Sequence, residues 1–285
     1  MFPPRVSPVW LVLLGILSVQ LGATVSKVLF AEIPPIGMVL LRLSTSSLVM
    51  LVIARPRLRG RRLADWRPVL ALGFSLAAMN WAIYESFARI PLGVAVTIEF
   101  VGPLLVAAFG SRRPRDLVWV VLAGLGIALF RAGPTRIDPV GFGLALFAGG
   151  CWALYIVSTV AVGRRWVGIE GLALASTIAT LAIAPIAIAS AGDRLLEPRL
   201  LLLGALVGLL SSVIPYSFEM VALRSLSPRV FGILMSLEPA AAALIAAVLL
   251  REWLAPIQLL AMACVTAASV GATRTESGPG TLPRD

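Results

Sequence analysis

Apolar residues run in blocks of about twenty, separated by short stretches of Pro, Gly and Arg, and a helix needs about that many to cross the hydrocarbon core of a bilayer. Each block therefore predicts one membrane-spanning helix. Ten are expected: Val9 to Phe30, Pro35 to Ala54, Pro68 to Ala88, Leu92 to Gly110, Leu117 to Phe130, Val140 to Val162, Gly171 to Ala191, Leu200 to Leu223, Val230 to Leu250 and Leu254 to Thr273. The first block begins like a signal peptide, but it runs too long and further spans follow, so it is expected to be retained as a helix.

Arginines divide unevenly between the connecting segments. With the N-terminus inside the cell, that side holds Arg5, six in RPRLRGRRLADWR, three in SRRPRD, and Arg164, Arg165, Arg224, Arg229, Arg274 and Arg284, sixteen in all. The other side holds six: Arg89, Arg131, Arg136, Arg194, Arg199 and Arg251. The bias obeys the positive-inside rule and predicts that both termini are cytoplasmic. The Gly-, Pro- and charge-rich segment 274–285 predicts a disordered cytoplasmic tail.

The chain also repeats itself. YESFARIPLGVAVTIEFVGP ends one helix and starts the next in the first half, and EMVALRSLSPRVFGILMSLEP does so in the second. In each, a helix-end Glu (Glu85, Glu219) precedes an Arg (Arg89, Arg224), and a Glu two turns into the next helix (Glu99, Glu238) precedes a proline (Pro103, Pro239). Five helices per half is an odd number, so the halves, 1–134 and 135–273, are expected to be inverted relative to each other, with RAGPTRID as the linker. Glu99 and Glu238 then lie roughly 10 to 12 Å deep from opposite faces, near the midplane where inverted-repeat transporters hold substrate and coupling ions.

Composition narrows the chemistry. Of 285 residues 59% are hydrophobic and 13% charged, where soluble domains carry roughly 25%; the mean hydropathy is +0.96. The net charge of +10 is spread over loops and forms no stripe with interleaved aromatics, which argues against nucleic acid as a partner. Histidine is absent, which removes His-based metal sites and Ser-His-Asp triads. Lys27 is the only lysine and follows no Gly-rich loop, so there is no ATPase machinery, and transport would be secondary or partner-driven. Cys151 and Cys264 fall inside apolar runs and read as small hydrophobes. No cofactor and no metal are expected.

Six ionisable residues lie within spans: Lys27, Arg42, Glu85, Glu99, Glu219 and Glu238. Each needs a partner, a watery cavity or a change of protonation, because a charge at the bilayer centre costs about 2.5 to 3.5 kcal/mol on insertion scales. Lys27 either snorkels from its helix end or acts with Gln20 and Thr24, which share its face. Arg42 either pairs with a Glu or serves a site. For Glu85 and Arg89 an ion pair at i, i+4 suffices. Glu219 shares a polar stripe with Ser212 and Tyr216, and its role stays open between function and structure. Glu99 and Glu238 are the candidates for substrate contact and proton coupling; Pro103 frees the carbonyl of Glu99 and Pro239 that of Met235, as kinks lining protein or water do. Asn80, Tyr84, Trp152, Tyr155 and Tyr216 complete a candidate cavity, with Trp81 beside them. Trp10, Trp66, Trp119, Trp166 and Trp253 are expected in interfacial belts.

GFGLALFAGGCWALYIVST and LMSLEPAAAALIAAVLLREWLAPIQLLAMA resemble the EamA-type repeats of the drug/metabolite transporter superfamily. LGATVSKVLF, LLRLSTSSL, MNWAIYES, PLGVAVTIEFVGPL, FGSRRPRDLVWVVLAGLG, IPYSFEMVAL and FGILMSLEPA resemble in particular its branch of bacterial threonine and homoserine exporters, from Gly22 to Ala268. The resemblance implies an all-α protein of ten helices, a central cavity between two repeats, cytoplasmic termini, and inner-membrane export of small amino acids. Lys27, Arg42, Glu99, Glu219 and Glu238 fall on its charged positions, and Glu85 departs from it. The expected partners are a small amino acid, protons and membrane lipid, with the chain a monomer or weak dimer. An exporter of drugs or other metabolites is the alternative; an intramembrane enzyme or a passive channel fits less well.

Overall fold

The computed structural model describes residues 7–110, 117–131 and 137–275. Arg5, the SRRPRD loop after Gly110, most of the RAGPTRID linker with the boundary between the halves, and the tail beyond Thr275 lie outside the described residues. Within them the chain forms ten helices, with short 3-10 and π turns between or inside them. These are α1 (Pro8–Leu29), α2 (Pro35–Ala54), α3 (Leu63–Phe87), α4 in two segments (Leu92–Glu99 and Val101–Gly110) and α5 (Leu117–Arg131). Then come α6 (Pro139–Gly163), α7 (Glu170–Ala191), α8 (Pro198–Gly208 and Ile214–Ala222, joined by a π turn), α9 (Pro228–Met235 and Glu238–Ile245, ending in a π turn) and α10 (Pro256–Thr275). Seven of them are long and apolar enough to cross a membrane; α4 and α5 are shorter apolar helices.

Proline opens six of these helices, where its missing N–H costs no hydrogen bond. Asp138 caps α6 through its Oδ1, which accepts from the amides of Val140 (2.7 Å) and Gly141 (3.3 Å). α3 starts five residues before the expected Pro68, because the Asp65 carboxylate accepts from the Arg62 amide at 3.0 Å, a cap at the helix start that hydropathy cannot register. α10 runs on to Thr275, two residues into the segment expected to be tail.

Two expected helices are broken. α4 is interrupted at Phe100, directly after Glu99, and α9 at Ser236 and Leu237, directly before Glu238. Each break lies within four residues of Pro103 or Pro239. Proline supplies no N–H to the preceding turn, and the turn opens.

The bundle is apolar outside as well as in its core, and the core also holds polar side chains. Gln20, Asn80, Thr97, Glu99 and Glu238 are buried, while Leu48, Val52, Phe74, Leu154, Leu181 and Val248 are exposed. A lipid solvent explains both halves of that statement, since the outward residues meet hydrocarbon and the inward ones meet each other. The main helix pairs are α3 with α6 and α7, α1 with α8, α2 with α7 and α8, α5 with α10 and α4 with α6; α9 also packs on α4 and on α1.

α4 makes two crossings that are closer than side chains permit. A Cβ on Gly93 would lie 2.8 Å from the Cα of Ala243, which seats α4 on α9. A Cβ on Gly102 would lie 2.0 Å from the Gly149 carbonyl, and one on Gly149 2.7 Å from that of Glu99, so α4 meets α6 backbone to backbone. The Glu99 carbonyl that Pro103 leaves without a helical donor thus faces a glycine.

Odd-numbered helices finish at one end of the bundle, here called the distal end. There Arg89 pairs with Glu85, Arg194 and Arg199 reach Glu32, and Lys27 pairs with Glu252. At the other, proximal end Arg61 bonds Glu170 and stacks on Trp166, whose indole N–H donates to the Asp65 carbonyl at 3.1 Å. Trp166 is therefore buried in a junction between two loops and does not sit in a belt, whereas Trp10 and Trp253 face outward.

Candidate functional site

The buried polar residues converge on a cavity of about 510 Å³ between the helices, within the size range of small-molecule sites. α1, α2, α3, α4, α6, α8, α9 and α10 all contribute to its wall. Arg42, Asn80, Tyr84, Glu99, Trp152, Tyr155, Tyr216, Glu219 and Glu238 line it. The spans expected to hold these residues bring all nine to one place.

The positive charge comes from α2. The Arg42 guanidinium donates from Nη1 to the Tyr84 hydroxyl and from Nη2 to the Ser211 carbonyl, both at 3.2 Å, and its carbon lies 5.5 Å from the Tyr84 ring centre. Its Nε is buried without a partner. Among the described residues no carboxylate stands within ion-pair distance of it, so the expected pairing of Arg42 with a glutamate is not what the structure contains. Its charge is held by neutral dipoles and remains available to an anion.

The negative charges come from α4, α8 and α9. Glu99 ends the first segment of α4 and is 9% exposed; Glu238 begins the second segment of α9 and is 8% exposed. Glu99 lies within electrostatic reach of Glu238 and Arg42, and Glu238 of Glu219. None of the three carboxyls forms an ion pair among the described residues. Gln20 donates from Nε2 to Glu238 Oε1 at 3.2 Å, which leaves Gln20 Oε1 and Glu238 Oε2 buried without partners. Such groups are costly in a membrane interior unless a ligand, water or proton meets them.

Aromatic rings shape the rest. Trp152 packs edge-on against Phe100, the residue at the α4 break, with ring centres 5.5 Å apart. Tyr84 stacks between Phe30 and Phe87, and Tyr155 approaches Tyr216 across the cavity wall.

Lys27 is not among the lining residues. Its ammonium pairs with Glu252 Oε1 at 2.6 Å and donates to the Ile90 carbonyl at 2.8 Å, at the distal end. Gln20 is the member of its helical face that reaches the cavity; Thr24 bonds the Gln20 carbonyl. Ser212 likewise gives way to its neighbour Ser211 in the lining, because the π turn at Leu209–Val213 rotates α8. Glu85 pairs with Arg89 at 2.6 Å, as their spacing predicts. Cys151 and Cys264 are free thiols.

Sequence reasoning passed over Glu252, Gly102 and Gly149. The glycines stand in FVGP and AGGC, beside Glu99 and Trp152, where a small residue flanking a polar one signals close helix contact.

Comparison with known proteins agrees with this arrangement. Residues 139–274 match the EamA-like transporter family. The threonine/homoserine exporter RhtA of Escherichia coli (strain K12) is 44% identical over 279 residues, covering 95% of this chain and 94% of its own length. RhtA of Salmonella typhimurium (strain LT2) is 43% identical with the same coverage. A crystal structure of a protein 17% identical in sequence superposes with a TM-score of 0.60 over 94% of this chain and 98% of its own, which shows a shared fold. With more than two fifths of its residues in common with the RhtA exporters over nearly its full length, the chain belongs to the EamA-like transporter family, a family of transporters and not of enzymes.

Proposed function

We propose that the chain exports small amino acids such as threonine and homoserine across a bacterial inner membrane, exchanging them for protons or for substrate. One observation carries the reading: among the described residues the cavity holds a guanidinium in no ion pair and three carboxyls in no ion pair. An amino-acid zwitterion supplies both missing charges, its carboxylate to Arg42 and its ammonium to the Glu99 and Glu238 side. The RhtA relatives bear the name of such an exporter.

Ten helices as two inverted repeats, 1–134 and 135–273, is part of the proposal. The helix packing supports it: exchanging α1 to α5 for α6 to α10 turns the α3–α6 contact into α8–α1 and α4–α6 into α9–α1, and leaves α2–α7, α4–α9 and α5–α10 unchanged. So does the family match, which covers the second half alone. With the arginine bias, the proximal end and both termini face the cytoplasm.

Counterflow in proteoliposomes at two pH gradients tests the function. Preloaded threonine or homoserine is expected to drive saturable uptake of labelled threonine, while cationic dyes do not compete. Counterflow with dyes and none with amino acids would overturn the reading in favour of a drug exporter that uses the aromatic wall, and flux that never saturates would mean a channel.

Glu85 is expected to be dispensable. Its ion pair with Arg89 is i, i+4 and partly exposed at the end of the bundle, so Glu85→Gln is expected to lower stability by about 0.5 kcal/mol and leave counterflow intact. Thermal unfolding and counterflow of that variant check it.

A further inference from the structure

We propose that Lys27 and Glu252 are positioning residues of the transport cycle: together they hold the start of α4 against the end of α9 and keep the distal mouth of the cavity shut. The inference rests on the export reading and deepens it.

The carboxylate of Glu252 serves two elements at once. Oε1 takes the Lys27 ammonium from α1 at 2.6 Å, and Oε2 accepts from the amide of Leu92, the first residue of α4, at 2.8 Å. Lys27 in turn donates to the carbonyl of Ile90, in the turn between α3 and α4, at 2.8 Å. Glu252 itself is aimed by Arg251, which leaves α9 in the left-handed conformation (φ 57°), and by its own amide, which donates back to Ala246. Two points of the first half are thus gathered on one side chain of the second, and Lys27 ties in a third.

A packed plug lies beneath this cluster. Leu29, Leu92, Val94, Ala95, Ala243 and Ala246 are all buried, and Gly93 presses on Ala243. On α1 and α4 the cavity lining stops short of it, at Ala23, one turn before Lys27, and at Val96, one turn after Leu92; on α3 it runs to Phe87, the last residue of that helix, which is itself only 4% exposed. Toward the opposite end the lining continues to Phe231 on α9 and Thr273 on α10, each within about a turn of its helix terminus. The structure is closed distally and reaches toward the proximal end. A substrate leaving distally needs α4 and α9 to part, and their separation breaks the Glu252 contacts first.

The first segment of α4 ends at Glu99, so the cluster also fixes where that carboxyl sits. Lys27 acts on the substrate path through α4 and not by touching the cavity.

The test measures which side a cavity cysteine is reached from. In a Cys151→Ser, Cys264→Ser background, Ala23→Cys is labelled with a membrane-impermeant maleimide added to either side of oriented proteoliposomes. Glu252→Gln, which keeps an acceptor for Leu92 but loses the charge, is expected to raise the distal labelling rate about tenfold, and Glu252→Ala more. Lys27→Met, which keeps the apolar stem, is expected to match Glu252→Gln. In counterflow the same variants are expected to raise KM for substrate presented on the proximal side more than they change kcat, since the proximally open state becomes rarer. Equal distal labelling in the parent and in all variants that remain monodisperse would overturn the proposal. Labelling does not depend on the substrate, so a distal rise without threonine counterflow would leave the gate standing and sink the substrate assignment alone.

Discussion

Arg42→Gln is expected to lower threonine exchange by about a hundredfold or more, because it removes the one guanidinium among the described residues of the cavity lining while leaving the helix intact. Deleting one partner of a desolvated charge pair costs about 2 to 5 kcal/mol, and each 1.4 kcal/mol is tenfold in affinity. Arg42→Lys keeps the charge but not the fork that reaches Tyr84 and the Ser211 carbonyl together, so an intermediate loss is expected. The discriminating measurement compares threonine with its methyl ester as competitors. The parent protein is expected to prefer the free carboxylate, and Arg42→Gln to lose that preference. A variant that binds less of both but still discriminates would show Arg42 to be structural.

Glu99→Gln and Glu238→Gln form the second case. The amide preserves shape and most hydrogen bonding while removing titration. In particular, a Gln at 238 can still accept from Gln20. If either carboxyl carries the exchanging proton, its variant is expected to exchange threonine at a rate that no longer varies with pH, with its melting temperature within a few degrees of the parent. A purely structural carboxyl gives the opposite result: lower stability and an unaltered pH profile. Unchanged pH dependence in both variants would remove the proton-carrier role from this pair.

The sequence displays its helices because lipid imposes one requirement on all of them, and length and apolarity suffice to meet it. Pro8 and Leu29 fall within a residue of the expected first span. What it conceals is where a span stops being a regular helix. Phe100 and the Ser236–Leu237 break sit inside runs of apolar residues, and Pro103 and Pro239 mark the neighbourhood without saying on which side of each glutamate the helix opens. The glutamates and Arg42 were legible in the sequence as cavity residues because a buried charge needs a reason. Lys27 had two outlets at similar depth, and the choice depended on Glu252, a loop residue more than two hundred positions away. Pairings of that range follow from how α9 ends and α4 begins, which no local pattern encodes.

The crossing of Gly102 over Gly149 turns the break in α4 into a lever. Side chains set into grooves resist sliding and yield in jumps, whereas two bare backbones can roll on one another without losing touch. If α4 turns about this crossing, Leu92–Glu99 is an arm about 12 Å long. A swing of about 5° displaces the far tip by about 1 Å, enough to carry a 2.8 Å hydrogen bond from Leu92 to Glu252 past the length at which it still counts as one. Small rotations at the midplane are in this way amplified at the membrane surface.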